Sequence, residues 1–546
     1  MTAPQQKSLP SEQTPLMGRL AEEVQDAPRV PATALQGSAI MVAMGLLLFI
    51  QATQITVMTT AQSAIAAEFD AFSVVTWFSS VFLIAYSSIA PLSGRLCQIF
   101  TPRVYVFFTS SLLALGLFVT AAAPNLAVFL LGRAIAGCGA GGQTVTAFVL
   151  TLDLTSKKRR GLFLGLISVG MTTGISSGAV LSGLLTTAYG WRLIFWIQAP
   201  VALILAPVMF SAIPIRPEDE ELDKGALLEK LAQVDYAGAL TMTISVTLLL
   251  SSLASSEIRI APILAFLVSI GLFLLIEARF ASQPIIPMVI VKLRTVGLTC
   301  FAGLITRMAR WSVLFYSPVY AMVVRDWNPA SAGLILVPTN AGFGLGGVLA
   351  GWLHIRRSQS YYLSSLIGYL LFAIAGFILA MVATPTSSVI TFVCATFVNG
   401  LAVGALLNYT LSHLLYLTHT DVHYIVGALV GMSRGFAGSF GSAIGGGFFM
   451  RELKRGLEAR FRDHGLEDRE ELVRKLLGSP ALVKSLTGVE RAVAVQSYEQ
   501  AIQRLFLGSC VLILVAAAAQ AGTGWRAQDR ERQPREVIDE EDQCET

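Results

Sequence analysis

Charged residues are scarce in this sequence. Asp, Glu, Lys and Arg together make up 14% of its 546 residues, whereas soluble domains contain about 25%. Hydrophobic residues make up 54% of the chain and the mean hydropathy is +0.65. Apolar runs long enough to cross a bilayer recur along most of its length. The composition therefore excludes a soluble globular protein and predicts an all-α polytopic membrane protein.

Residues that hold metals or build disulfide frameworks are also few. The six cysteines are scattered, none of them at metal-ligand spacing, and there are five histidines. No cluster of His, Cys or acidic residues gathers near any apolar run, so we expect no metal, no cofactor and no enzymatic activity. A formal net charge of +4 is too small to indicate a nucleic-acid partner.

Fourteen apolar segments are long enough to be spans, since a spanning helix needs about 20 residues. They lie near 39–62, 74–94, 104–123, 127–150, 161–186, 193–213, 236–254, 260–278, 296–323, 330–353, 360–383, 387–416, 424–450 and 502–521. Lys and Arg concentrate in the loops 155–161, 291–295 and 354–358. The positive-inside rule places these loops and both termini in the cytoplasm, and the long loop 451–500 on the other side as a helical cap.

A short repeat predicts how the spans are organised. "LSGRL" (92–96) ends the second span and "LAGWL" (349–353) ends the tenth, as expected if spans 9–14 repeat spans 1–6. The sequence thus predicts two six-helix bundles plus two inserted helices. The predicted divisions are a disordered cytoplasmic tail at 1–37, an N-terminal bundle at 38–213, a cytoplasmic loop with the inserted helices at 214–295, a C-terminal bundle with its non-cytoplasmic loop 451–500 at 296–521, and a cytoplasmic tail at 522–546.

Polar residues inside spans are the candidates for chemistry, because each costs free energy in hydrocarbon. Arg307 and Arg310 lie three residues apart in the ninth span and share a helix face. They either line a cavity for a molecule with an aromatic or carboxylate part, or bind backbone carbonyls and snorkel. Of the two arginines, we select Arg307 as a candidate substrate-binding residue. Hydrogen-bonding candidates, which equally suit helix-to-helix contacts, are Gln51, Gln54, Gln143, Asn340, Asn399 and Asn408.

The fifth span is unusual in its glycine content. "GLFLGLISVGMTTGISSGAVLSGLL" (161–185) carries six glycines, although each costs a helix about 1 kcal/mol relative to Ala. Most are four residues apart, so they share one face and permit a close approach of another helix. That contact is either a static packing seam or a contact along which two bundles move.

Several of these segments resemble the major facilitator superfamily, in particular its fourteen-span drug:proton antiporter branch. The resemblance covers nearly all of 39–521. It rests on the glycines of the fifth span, on "GRLCQIFTPR" (94–103), on "GRAIAG" (132–137), on "DLTSKKRRG" (153–161) and on "SRGFAGSFGSAIGG" (433–446). It implies a major facilitator fold and alternating access, with the fifth span as the contact along which the two halves reorient.

The resemblance also assigns roles to residues of this chain. It implies that Arg133 and Arg434 lie in a central cavity. The full set of predicted substrate-binding residues is Gln51, Gln54, Arg133, Gln143, Arg307, Asn340, Asn408 and Arg434. The predicted conformational-motif residues are Gly94, Arg103, Asp153, Arg160, Gly165, Gly174, Gly178 and Gly183.

The sequence departs from the branch where proton coupling would need a carboxylate. Gln54 stands at the carboxylate position of the first span, and no Asp or Glu lies near the middle of any predicted span. A proton-coupled pump usually needs a titratable group there. Antiport that uses Glu277, Asp153 or His413 instead, and uniport without protons, are therefore the two alternatives.

The sequence predicts a secondary active transporter that exports a small organic molecule, such as a drug, toxin or secondary metabolite, from the cytosol. Because the branch includes fungal toxin-efflux pumps and vacuolar basic amino-acid transporters, import of basic amino acids into a vacuole is the alternative; a transporter-like sensor is a further one. "EQTPLM" (12–17) resembles a vacuolar sorting signal, so the membrane is the plasma or the vacuolar membrane. We expect a monomer that contacts substrate, lipid and, in antiport, protons.

Overall fold

The fold is described from a computed structural model of the chain. It covers residues 34–154, 160–214, 235–254, 258–280, 293–355, 360–418, 423–465 and 469–525. All or part of the following segments named above lies outside these residues: 1–37, 12–17, 155–161, 214–295, 291–295, 354–358 and 522–546.

Within the described residues, helix is the only regular secondary structure. Fourteen long helical segments are numbered here as α1 (Ala34–Glu68), α2 (Thr76–Ile99), α3 (Thr101–Ala121), α4 (Leu126–Leu154), α5 (Arg160–Tyr189), α6 (Arg192–Ala212), α7 (Tyr236–Leu253), α8 (Ile260–Arg279), α9 (Arg294–Val323), α10 (Leu336–Val348), α11 (Tyr362–Val382), α12 (Val389–Leu417), α13 (His423–Asp463) and α14 (Gly488–Ala521). A single turn, Pro329–Gly333, precedes α10, and a π-helical turn, Leu349–His354, continues it.

Local sequence explains several helix boundaries. Asp235 caps α7 by accepting a hydrogen bond from the Gly238 backbone N–H at 2.7 Å. Asn328 caps the turn Pro329–Gly333 in the same way through the Ser331 N–H, also at 2.7 Å. Between α5 and α6, Gly190 adopts a φ of +85°, a left-handed conformation that favours glycine. The chain can therefore reverse direction there within two residues.

The first six helices pair in the same pattern as the last six. In the first half α1 packs on α5 and α6, α2 packs on α4, and α3 packs on α4 and α6. In the second half α9 packs on α13 and α14, α10 on α12, and α11 on α12 and α14. The inserted helices α7 and α8 pair with each other, and α7 packs on α2 and α13. The predicted fold class, two six-helix bundles plus two inserted helices, is confirmed.

Eleven helices of the described residues are long and apolar enough to cross a membrane. The helices α5, α9 and α13 are not among those eleven. Each of the fourteen predicted spans overlaps one numbered segment, so fourteen spans are compatible with the fold and stay a prediction.

A segment between α13 and α14 covers one end of both bundles. It consists of the helix Glu470–Gly478 and the 3₁₀ turn Pro480–Ser485, and is named the cap. Arg474 of the cap forms an ion pair with Asp70 at 2.8 Å, just after α1. Lys484 lies 3.8 Å from Asp326, just after α9. The cap therefore bridges the two bundles, and this side of the molecule is called the cap end; the opposite side is the loop end.

Candidate functional site

Serine side chains connect the bundles where α2 meets α13. The hydroxyls of Ser80 and Ser442 lie 3.1 Å apart. One to two turns toward the loop end, the Ser87 hydroxyl donates to the Gly435 carbonyl at 2.8 Å and lies 3.1 Å from the Ser439 hydroxyl. Small residues allow the two backbones to approach closely. Sequence reasoning missed this seam, although the spacing of Gly435, Ser439 and Ser442 along one face of α13 signals it.

The glycines of α5 divide between two different contacts. A Cβ on Gly174 would lie 2.7 Å from the Ala52 Cβ, and one on Gly178 would lie 2.8 Å from the Thr53 Cα, both on α1. Because α1 belongs to the same bundle as α5, these two glycines form an internal packing seam. The expectation that they line the contact between the bundles is wrong, since helical spacing defines a face but not the helix that covers it.

Hydrogen bonds hold α5 against α1 along this seam. The Thr56 hydroxyl donates to the Ile175 carbonyl at 2.8 Å, and the Ser182 hydroxyl donates to the Val57 carbonyl at 2.9 Å. Each bond joins a side chain on one helix to the backbone of the other. The seam is therefore fixed in register, as a static contact within one bundle requires.

Among the motif glycines whose surroundings are described, Gly183 meets the other bundle. A Cβ on Gly183 would lie 2.6 Å from the Ala330 backbone nitrogen, and one on Gly333 would lie 2.7 Å from the Ala179 carbonyl carbon. These reciprocal backbone contacts join α5 to the turn Pro329–Gly333 at the cap end. A side chain at either glycine would push the bundles apart there.

Arg133 and Gln54 are buried inside the N-terminal bundle. Both are 0% exposed. The Arg133 guanidinium donates to Gln54 Oε1 at 2.9 Å, to the Gln54 carbonyl at 2.9 Å and to the Phe78 carbonyl at 3.1 Å. Gln54 Nε2 in turn donates to Gln198 Oε1 on α6. In this conformation their polar atoms connect α1, α2, α4 and α6 to one another, and the substrate-binding role of both residues stays a prediction.

Three further predicted residues make their polar contacts within one bundle. Gln143 Nε2 donates to the Ser110 hydroxyl of α3 at 3.2 Å. Asn408 donates to the Gly404 carbonyl of its own helix at 3.0 Å. Arg307 donates to the Gly303 carbonyl at 3.3 Å, one turn toward the loop end. These three hydrogen bonds therefore do not cross the bundle boundary.

Gln51, Tyr86 and Thr144 form a polar cluster that reaches the boundary, named here the Gln51 cluster. The Thr144 hydroxyl receives hydrogen bonds from Gln51 Nε2 at 2.7 Å and from the Tyr86 hydroxyl at 3.1 Å. A Cβ on Gly435 of the opposite bundle would lie 3.9 Å from the Tyr86 ring. Gln51 is 2% exposed, and its Oε1 has no hydrogen-bond partner in the described part of the chain. That oxygen remains available to accept a hydrogen bond.

A second polar group crosses the boundary and is named the crossing chain: Arg310, Asn340 and Ser176. Arg310 of α9 donates to Asn340 Oδ1 at 2.7 Å, and Asn340 Nδ2 of α10 donates to the Ser176 hydroxyl of α5 at 2.9 Å. The Arg310 guanidinium also stacks over the Phe343 ring, 3.8 Å from its centroid. Asn340 is therefore a predicted site residue that the structure places at the boundary, and Arg310, rather than Arg307, is the arginine linked to it.

For most of the remaining predicted residues, the side-chain surroundings are not described. Arg103 stacks over Phe210 of α6, 4.0 Å from its centroid. The side-chain surroundings of five residues are not among those described: Gly94, Asp153, Arg160, Gly165 and Arg434.

Two titratable candidates are buried. Glu277, near the end of α8, is 4% exposed and His413 of α12 is 0% exposed. His413 Nε2 lies 3.2 Å from the Gly524 carbonyl, at the loop end. His413 thus contacts the chain that follows α14.

Known proteins share both the sequence pattern and the fold. The sequence profile of the Major Facilitator Superfamily matches residues 42–446. The chain belongs to the Major Facilitator Superfamily. It is thus an integral membrane protein of the lipid bilayer that transports small molecules.

Curated relatives come from fungi. The MFS-type transporter ppz2 of Metarhizium majus is 25% identical over 84% of this chain and 80% of its own length. The efflux pump dotC of Dothistroma septosporum is 28% identical over 57% of this chain and 54% of its own. The vacuolar basic amino acid transporter 1 of Saccharomyces cerevisiae is 26% identical over 56% of this chain and 54% of its own. The matches to the last two thus span little more than half of each relative.

Among solved structures, a bacterial homologue of the human lysosomal transporter Spinster matches with a TM-score of 0.63. It is 14% identical and covers 92% of this chain and 100% of that one. At this identity the similarity concerns the fold alone, which is the major facilitator fold.

Proposed function

We propose that this transporter exports an uncharged or anionic small organic molecule from the cytosol by alternating access. The proposal rests on the kinds of polar group that lie at the boundary between the two bundles. The Gln51 cluster and the crossing chain contribute amides, hydroxyls and one guanidinium. These groups suit a substrate that forms hydrogen bonds or carries a negative charge, because such a substrate is a favourable partner for the Arg310 guanidinium.

The similarity to a vacuolar basic amino acid transporter favours a second candidate, import of basic amino acids into a vacuole. A cationic side chain taken out of water needs a partner of opposite charge, since the desolvation of an ion costs several kcal/mol. Neither the Gln51 cluster nor the crossing chain contains a carboxylate. We therefore rank export of neutral or anionic molecules first.

The proposed mechanism separates the bundles at one end at a time. We propose that the cap faces away from the cytosol, that both termini are cytoplasmic, and that the protein works as a monomer in the plasma or vacuolar membrane, without catalytic chemistry. Gln54 holds no titratable proton, so a proton-coupled cycle would have to use Glu277, Asp153 or His413.

The experiment is transport into liposomes that contain the purified protein and a pH-sensitive dye. Cycloheximide, benzoate, rhodamine 6G, arginine and lysine are added singly. We expect transport of a neutral or anionic probe above that of empty liposomes. Transport restricted to arginine and lysine would replace this proposal with the vacuolar candidate. A proton signal that follows transport assigns antiport, and transport without one assigns uniport.

A further inference from the structure

A small cavity of about 50 Å³ lies between the two bundles at the cap end. Gln62 of α1 and Ser79 of α2 line it on one side, and Tyr316 of α9 and Ser442 of α13 on the other. Leu477 of the cap also lines it. A volume of this size holds only a few water molecules. In this conformation it is therefore too small for an organic molecule, which could enter only after the bundles separate at this end.

The cavity continues the path that begins at the Gln51 cluster. Gly435 adjoins that cluster and Ser442 lines the cavity, seven residues further along α13. Since a helix rises 1.5 Å per residue, the cavity lies roughly 10 Å nearer the cap end. A molecule that moved from the Gln51 cluster toward the cap end between the bundles would pass it.

The cap closes the cavity at its far side. A Cβ on Gly478 would lie 2.4 Å from the Phe72 Cα, so the cap backbone rests directly on the loop between α1 and α2. The Arg474–Asp70 ion pair at 2.8 Å holds the same two segments together. Passage to the outside therefore requires the cap to move off this loop.

None of the described residues that line the cavity is charged. Three of them, Gln62, Ser79 and Tyr316, form no side-chain hydrogen bond within the described part of the chain. The Tyr316 and Phe449 rings lie 4.4 Å apart and supply an aromatic surface. An amide and two hydroxyls beside aromatic rings match a molecule that carries carbonyl or hydroxyl groups on an apolar frame.

We propose that this cavity is an exit-side subsite that selects uncharged, oxygen-bearing organic molecules and rejects cations. The inference rests on the proposed export function and narrows its substrate class. A neutral molecule replaces its hydrogen bonds to water with bonds to Gln62, Ser79 and Tyr316. A cation finds no opposite charge in the lining, so its lost hydration is not compensated.

The test places a carboxylate on the N-terminal bundle's wall of the cavity, from two different helices, in the variants Gln62→Glu of α1 and Ser79→Asp of α2. Gln496→Glu is the matched control, because Gln496 lies exposed on α14 and does not line the cavity. Uptake of cycloheximide and caffeine, which are neutral, and of rhodamine 6G and arginine, which are cationic, is measured in liposomes. Two variants on different helices keep the test valid if one of them does not fold.

We expect the ratio of cation to neutral uptake to rise at least tenfold in the folded carboxylate variants and to stay at the wild-type value in Gln496→Glu. An unchanged ratio in variants that still transport overturns the subsite and leaves the export function standing. If the wild-type protein moves none of the four probes above empty liposomes, the export function itself fails, and the subsite fails with it.

Discussion

The contact of Gly183 with the turn Pro329–Gly333 at the cap end predicts how one added methyl group shifts the conformational equilibrium. In Gly183→Ala the new Cβ would lie 2.6 Å from the Ala330 nitrogen, whereas non-bonded atoms prefer about 3.5–4.0 Å. The backbones must therefore separate by roughly 1 Å. Overpacking of this kind costs about 1–3 kcal/mol. If only the state closed at the cap end bears that cost, its population falls by about 5- to 150-fold relative to the open state.

The assay is a distance distribution between spin labels at Ala188 of α5 and Gln496 of α14, with the native cysteines replaced. We expect Gly183→Ala to lengthen the distance while the folded fraction stays unchanged. Gly174→Ala is the matched variant, since its methyl group meets Ala52 within one bundle; it should lower the melting temperature and leave the distance unchanged. Gly271→Ala, which has no neighbour within 4 Å, should leave the distance unchanged and should not lower the melting temperature, because Ala favours a helix over Gly.

The opposite pattern would refute the reasoning. If Gly174→Ala lengthened the distance and Gly183→Ala did not, the glycine face against α1 would be the moving contact, and the assignment of Gly183 to the bundle boundary would be wrong.

Three further predictions follow from the polar contacts. Arg133→Met should destabilise the protein by about 1–3 kcal/mol, because it leaves the buried Gln54 oxygens without donors. Thermal unfolding in detergent measures this loss, and an unchanged melting temperature would contradict a stabilising role for the Arg133–Gln54 hydrogen bonds. Asn340→Leu should lower the transport rate at least tenfold while the protein stays folded, because it breaks the crossing chain at its centre; wild-type transport would show that the chain is dispensable. In the cap, hydrogen bonding from Arg474 lowers the pKa of Glu471 to about 2, below its unfolded value of about 4.3. The contribution of Glu471 to cap stability is therefore complete above pH 4.3 and is lost as the pH falls toward 2. Hydrogen exchange of the cap should be unchanged from pH 7 to 5 once corrected for intrinsic rates, and protection lost within that range would argue against this pair.

Much of the fold follows from local properties of the sequence. The position of each span depends on an uninterrupted apolar run of sufficient length, and that is visible without any knowledge of neighbouring helices. The short repeat at 92–96 and 349–353, together with the resemblance to the major facilitator superfamily, predicted two similar bundles. The identification of a membrane transporter therefore needed no tertiary structure.

The roles of individual polar residues did not follow in the same way. A polar residue in an apolar run must find a partner, but the sequence does not say whether a protein atom or a substrate supplies it. For Arg133 the partner is Gln54, 79 residues earlier in the chain. For Arg310 it is Asn340, which in turn reaches Ser176 in the other bundle. Arg307, only one turn from Arg310, bonds to its own helix.

The sequence by itself determined that this chain is a helical membrane transporter with two bundles and a glycine-rich fifth helix. Only the tertiary structure decided which helix covers which part of that glycine face. Gly174 and Gly178 meet α1, and Gly183 meets the turn before α10. The physical reason is that residue spacing sets the angle of a side chain around its own helix axis, whereas its neighbour depends on the packing of every other helix in the bundle.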